Sequence, residues 1–257
     1  MSIKTPEEIA ELRELGGLHA SMIAQLTEAV APGVTTDALE ELALKLIKDA
    51  GVEPAFKGYK PYGAPRAYPC ALCVAPNETV VHGIPTELSY TLEEGDIIGL
   101  DLGIQHNGLV IDAGRTVPVG QIDDAAKKLL RVTEDALYTG IKKARAGNTV
   151  GDIGHAIEEY VHTAGYGLVR DLCGHGVGHA VHEEPQVPNF GAPGTGPTLE
   201  AGMVIAIEPM VNEGKGAVIF EDDGYTVTTK DGSRSAHFEH DVAITDGAPL
   251  ILTRSSN

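Results

Sequence analysis

Gly33-Val-Thr-Thr-Asp-Ala-Leu-Glu-Glu-Leu-Ala-Leu-Lys-Leu-Ile-Lys-Asp-Ala-Gly51 carries the start and stop signals of an amphipathic helix, and its plan returns later in the chain. Leu39, Leu42 and Leu46 recur at helical spacing from about Thr36 to Ala50, and Gly51 follows the end. Without a gap, Gly33, Thr35, Leu39, Ala50 and Gly51 align on Gly147, Thr149, Ile153, Ala164 and Gly165, an offset of 114 residues. An earlier helix opens at Thr5-Pro6-Glu7-Glu8, where Thr5 caps, Pro6 suits the first helical position and Glu8 completes a capping box. Behind it Ile9, Leu12, Leu15, Ile23, Leu26 and Val30 keep helical spacing until Pro32-Gly33, and this helix repeats loosely, with Leu15 on Leu129. So long a period describes a two-fold repeat of a helix–helix–strand unit, not a short-period solenoid.

Strand-like segments fill the rest of each half. Asp96–Ile104 puts Ile98, Leu100, Leu102 and Ile104 on one face and Gly99, Asp101 and Gly103 on the other. Met203–Glu208 and Phe238–Ile244 also read as strands, Lys230-Asp-Gly-Ser233 as a hairpin turn, and Pro185–Gly202 as a loop. The expectation is one α+β domain over 1–257, with related halves at approximately 5–115 and 119–245.

Composition bounds the function. With 42% hydrophobic and 22% charged residues among 257, the chain has a globular mix that excludes wholesale disorder. Its 37 acidic against 19 basic residues leave a charge of −18, which argues against nucleic acid as the main partner and against an anionic membrane surface. Three cysteines cannot all pair, which points to a reducing compartment. Met1-Ser-Ile-Lys-Thr-Pro-Glu-Glu8 lacks the apolar core of a signal peptide, and no apolar run reaches the ~18 residues of a membrane span. A soluble intracellular protein is expected.

Several polar residues sit where a packed strand should be apolar. Asp101 is one, with Gly99 and Gly103 leaving room beside it; Asp112 follows in Leu109-Val-Ile-Asp-Ala-Gly114, and a turn between two adjacent strands would bring the acids together. Each alone reads equally well as a salt-bridged structural acid or a ligand. Glu208 and Glu239 repeat the puzzle. His175 and His182 lie in Cys173-Gly-His-Gly-Val-Gly-His-Ala-Val-His-Glu-Glu-Pro185, whose glycines let backbone approach a bound group. Together the four acids and His175 look like a two-metal site, since two divalent cations offset four carboxylates, and an oxygen-rich set favours Mn, Fe(II) or Co. Cys70 and Cys73 could form a redox pair or half a zinc site, but with no second such motif they read better as core or pocket cysteines. His19, His106, His155, His162 and His237 read as surface or packing residues, and His240 should face away from Glu239.

Taken in order, Asn77-Glu-Thr-Val-Val-His-Gly-Ile-Pro85, Gly95-Asp96 with Asp101 and Asp112, Cys173-Gly-His-Gly-Val-Gly178, His182-Glu-Glu-Pro185, Glu208-Pro209 and Phe238-Glu-His240 resemble the type I methionine aminopeptidases over essentially the whole chain. The resemblance implies the pita-bread fold, two pseudo-symmetric halves around a curved antiparallel sheet. It implies two divalent metal ions per chain (Co, Mn, Fe(II) or Zn) on Asp101, Asp112, His175, Glu208 and Glu239, with Asp112 and Glu239 bridging. Glu208 would accept the proton of the attacking water, and His82 and His182 would flank the scissile amide. Tyr59, Tyr68, Cys73 and Tyr225 match the methionine pocket. The implied reaction removes the initiator methionine from nascent polypeptide N-termini with a small second residue, in the cytoplasm, by a monomer, with the ribosome as a further candidate partner. Two departures stand out: Lys60–Ala67 lengthens the stretch between the first two tyrosines, and Tyr225 replaces a tryptophan often found there.

Two alternatives compete. A proline-specific peptidase of the same fold would share the metal ligands, but such enzymes usually carry a separate N-terminal domain for which this chain has no room. A non-catalytic, ribosome-associated binding protein would be expected to have lost ligand residues, and all five are present.

Overall fold

The computed structural model describes residues 1–61 and 63–254; Tyr62, within the long Lys60–Ala67 stretch, and residues 255–257 lie outside them. The first half runs α1 (Pro6–Ala29), α2 (Thr36–Ala50), β1 (Glu53–Pro54), β2 (Leu72–Pro76), β3 (Thr79–Val81), α3 (Pro85–Leu88), β4 (Ile97–His106) and β5 (Leu109–Pro118). The second runs α4 (Asp124–Ile141), α5 (Val150–Ala164), β6 (Gly167–Leu168), β7 (Gly174–Gly176), β8 (Glu183–Val187), β9 (Val204–Ile207) and β10 (Met210–Asn212). It ends with β11 (Val218–Phe220), β12 (Val227–Thr229), β13 (Ser235–His237), β14 (His240–Ala243) and β15 (Leu250–Ile251).

Local chemistry sets the helices. Thr5 and Glu8 exchange the two hydrogen bonds of a capping box at the start of α1. α2 and α5 are each 15 residues long, begin after Thr35 and Thr149, and end at Gly51 and Gly165. Those two glycines adopt φ of 70° and 84°, a left-handed cap that a side chain would strain. Each helix pair buries an apolar face, Leu12, Leu26, Leu39 and Ile47 in one core and Leu129, Leu137, Ile153 and Ile157 in the other. From α2, the buried Glu40 carboxylate accepts the backbone N–H groups of Ala71 and Leu72, fixing the entry to β2.

All the strand pairs are antiparallel. β4 pairs with β1, β2 and β5, while a second sheet runs β15-β14-β9-β7-β8. Two smaller sheets, β13-β10-β6 and β11-β12-β3, flank them. β9 pairs with β14 up to Ile207↔His240, and β10 pairs with β13 from Met210↔His237. Between the two ladders the chains step across at Glu208-Pro209 and Phe238-Glu239. The strand expected over Phe238–Ile244 is therefore broken, because Phe238 bridges to Arg115 and Glu239 N donates to Gly114 O at 2.8 Å. The turn at Lys230–Ser233 forms, yet it is not a hairpin, since β12 and β13 belong to different sheets. β8 claims the start of the segment expected to be loop from Pro185.

The glycines also differ from expectation. A Cβ on Gly103 would lie 2.5 Å from the Phe56 ring, so the room beside Asp101 is already filled. On Gly174 and Gly176 it would strike the Ala206 and Glu184 carbonyls at 2.3 and 2.4 Å, so these glycines admit neighbouring backbone, not a ligand. Among the described residues no helix is long and apolar enough to cross a membrane.

His19 ties α1 to the central sheet. Its Nε2–H donates to Leu102 O at 2.6 Å, and burial pushes its pKa down to about 4. An unfolded histidine titrates near 6.5, so as pH falls the unfolded chain takes up a proton that the folded one refuses. The contribution is complete above pH 6.5 and is lost progressively toward pH 4. Between pH 7 and 5 the wild type should lose about 2 kcal/mol more stability than His19→Gln, measured by urea unfolding of metal-free protein.

Candidate metal centre

β4 and β5 bring the first two acids together. Asp101 lies opposite Gly114 and Asp112 opposite Gly103, so both side chains leave the same face two rungs apart. The crossovers deliver Glu208 and Glu239 to that face from the other sheet. Asp112 and Glu239 are buried, and Glu208 is nearly so, at 13% side-chain exposure. Asp101 Oδ1 and Asp112 Oδ1 are buried without a hydrogen-bond partner. Burial raises the Asp101 carboxyl to about 6, and burial with mutual repulsion holds Asp112 and Glu239 well above the ordinary carboxylate range. At Glu208 burial pulls upward, but the imidazoles of His237, His175 and His82 outweigh it and leave the carboxyl lowered.

His175 has a defined tautomer by hydrogen-bond geometry. Nδ1–H donates to Gly176 O at 2.9 Å, leaving Nε2 with a lone pair 3.6 Å from Glu208 Oε1. Two lone-pair atoms facing each other at that distance suit a cation between them. The His182 ring meets His175 edge-on, with centroids 4.4 Å apart. The Tyr59 hydroxyl lies 2.8 Å from His182 Nδ1; donating there, it leaves Nε2–H free. His82 follows β3 with φ of 59°, a conformation uncommon for a residue with a side chain, and burial lowers its pKa.

The expected pocket residues also assemble. Cys73 sits opposite Asp101 in the β2–β4 ladder, and the Tyr68 and Tyr225 rings form a T at 5.1 Å. Tyr68 N donates to Tyr59 O and Gly58 N donates to Tyr68 O, both at 2.8 Å, which closes the base of the long Lys60–Ala67 stretch. Arg66 within it makes a bidentate pair with Glu87 at 2.7 and 2.6 Å, and the Tyr225 hydroxyl donates to Arg66 O at 2.6 Å. Cys70 and Cys73 are both free and buried.

Two residues at the centre were missed in the sequence. Among the described residues, ligand atoms of Asp101, His237 and Glu239, and of Asp112, His175 and Glu239, lie within 4.8 Å of one another. His237, read as a surface or packing residue, is buried, and its Nε2 lies among the acids, 3.6 Å from Glu208 Oε2 and 3.7 Å from Glu239 Oε2. Asp241 is fully buried and accepts Asp112 N–H at 2.8 Å, steadying the strand that carries Asp112. The available signal was alternation, since both stand two residues from Glu239. His240 faces elsewhere, toward Tyr138 and Thr253.

Residues 10–246 match the family model of metallopeptidase family M24. The methionine aminopeptidase of Clostridium perfringens is 47% identical over 251 residues, covering 98% of each chain. The crystal structure of methionine aminopeptidase from Thermotoga maritima superposes with a TM-score of 0.93 at 44% identity, covering 99% of this chain and 100% of that one. The prolidase from Pyrococcus furiosus, at a TM-score of 0.77 and 23% identity with 99% of this chain and 66% of that one covered, shares the fold alone. The architecture is the expected α+β pita-bread fold.

Replacing Tyr59 with Phe should release His182 Nδ1 without disturbing the fold. Nitrogen-15 NMR of the imidazoles should show one His182 tautomer, protonated at Nε2, in the wild type and a mixture in Tyr59→Phe. An unchanged tautomer would show that the phenol does not set it.

Proposed function

Since the chain belongs to metallopeptidase family M24, we propose that it removes the N-terminal methionine from peptides and nascent polypeptides with a small second residue. The observation that carries this reading is the set of buried, partly unpartnered carboxylates converging beside a wall of tyrosines. Members of this family use divalent metal. The donors fit such ions: orphaned Asp101 and Asp112 oxygens, and a His175 nitrogen whose lone pair faces a carboxylate. We assign Asp101, Asp112, His175, Glu208 and Glu239 as the residues that would hold two divalent ions; an oxygen-rich set with imidazole accepts Co, Mn, Fe(II) or Zn. Bound there, divalent ions supply Lewis acidity toward a carbonyl and toward water.

The protein's own groups do the rest. Glu208, kept ionised by its imidazole neighbours, accepts the proton of the attacking water. His182, with Nδ1 engaged by Tyr59, offers Nε2–H to the scissile carbonyl oxygen. His82 contacts the peptide nitrogen as the bond breaks. Tyr59, Tyr68, Cys73 and Tyr225 enclose the methionine side chain. The same reading takes the chain as one catalytic unit of two related halves, monomeric and cytoplasmic, meeting nascent chains near the ribosome. An Xaa-Pro peptidase is less well supported, because the likeness to a prolidase stops at the fold.

Chelated protein given back Mn, Fe(II) or Co should cleave Met-Gly-Met-Met and leave an Xaa-Pro dipeptide intact; the opposite preference would overturn the reading. Asp112→Asn should weaken metal uptake. Glu208→Gln should keep the fold while turnover falls by roughly the 10²–10⁴-fold typical of a proton-transfer group, or more.

A further inference from the structure

His237 is a buried imidazole at the centre of this site for which the five-ligand assignment has no use. Its position is fixed from both sides. His237 N donates to Thr116 Oγ1 at 2.9 Å, and Thr116 Oγ1 donates back to His237 O at 3.0 Å. The ring lies against Gly114, where an added Cβ would come within 3.1 Å of Cε1 and 3.2 Å of Nδ1. A side chain there would press the ring back by a few tenths of an ångström, so the glycine lets the imidazole sit flush against β5.

Nε2 points into the carboxylates yet bonds to none of them. It is buried without a partner, 3.6 Å from Glu208 Oε2 and 3.7 Å from Glu239 Oε2. A hydrogen bond would draw the atoms to about 2.9 Å. Two donors each about 2.1 Å from one ion at a tetrahedral angle stand roughly 3.4 Å apart, close to the 3.7 Å between Nε2 and Glu239 Oε2. The neighbouring acids divide accordingly: Asp101, His237 and Glu239 form one group, Asp112, His175 and Glu239 the other, with Glu239 common to both.

We infer that His237 Nε2 is a sixth protein donor, so that each of the two ions has its own imidazole. Resting on the dinuclear reading above, this assignment refines it. A site holding one imidazole per ion binds borderline ions such as Fe(II), Co or Zn more strongly relative to Mn than one with a single imidazole shared between two.

Co(II) titration of chelated protein, followed by calorimetry and visible absorption, tests the assignment. Wild type should take up two equivalents. His237→Gln should keep one affinity and weaken the other by more than the roughly 10–100-fold that follows loss of a group merely supporting a ligand, with a changed spectrum for that equivalent. X-ray absorption of wild-type protein loaded with two Co(II) needs no variant: it should report on average one imidazole per ion. Half an imidazole per ion, or two unchanged affinities with an unchanged spectrum in His237→Gln, would remove His237 from the ligand set and leave the dinuclear reading intact. Failure of the wild type to bind Co(II) would overturn both.

Discussion

Four carboxylates crowded into a poorly solvated seam repel one another, and the fold is arranged around holding them there. Asp101 and Asp112 are carried rigidly by a ten-residue ladder on each side of the β4–β5 turn. Glu208 and Glu239 arrive where two strands each step from one sheet to another. Those steps are possible because Pro209 lacks a backbone donor and because Glu239 N finds Gly114 O outside its own ladder. Without a compensating cation, burial drives three of the four acids toward their neutral forms. The scaffold is thus built for an occupant whose charge makes the arrangement favourable.

Backbone supports keep the donors in place. Asp241 receives the Asp112 amide, Gly176 O fixes the His175 tautomer, and Thr116 clamps His237. Lys4, almost fully buried, pairs with Glu183 at 2.9 Å, and Glu183 also accepts the backbone amides of His179 and Ala180. That turn leads directly to His182. The N-terminal segment is in this way part of the wall on which the reactive face depends.

The helices were legible because their determinants are local: Thr5 with Glu8, and the paired Thr35/Gly51 and Thr149/Gly165 ends, can be read within a few residues. Asp101, Asp112 and His175 were legible because a charge or imidazole amid strand residues conflicts with its surroundings. His237 and Asp241 were not, since each has an unremarkable structural reading until the fold sets it against Glu208 or Asp112. The break at Phe238-Glu239 and the failed hairpin at Lys230–Ser233 share one cause. Both depend on which distant strand offers a partner, and turn chemistry alone carries no information about that. Gly174 and Gly176 misled for a related reason: close approach was required, but by backbone of the same chain.

The closed base beneath Lys60–Ala67 has a mechanical side. From Glu87 on the surface, force can pass through the two Arg66 hydrogen bonds to the Tyr225 hydroxyl, and through Tyr225 to the ring of Tyr68. Tyr59, at the other root of the same stretch, touches His182. Arg66 and the two ends of the stretch therefore behave as a brace, joining three tyrosines from two distant parts of the chain. An outward movement of this tyrosine wall would carry its neighbours along or separate Arg66 from Glu87, a charged pair on the surface.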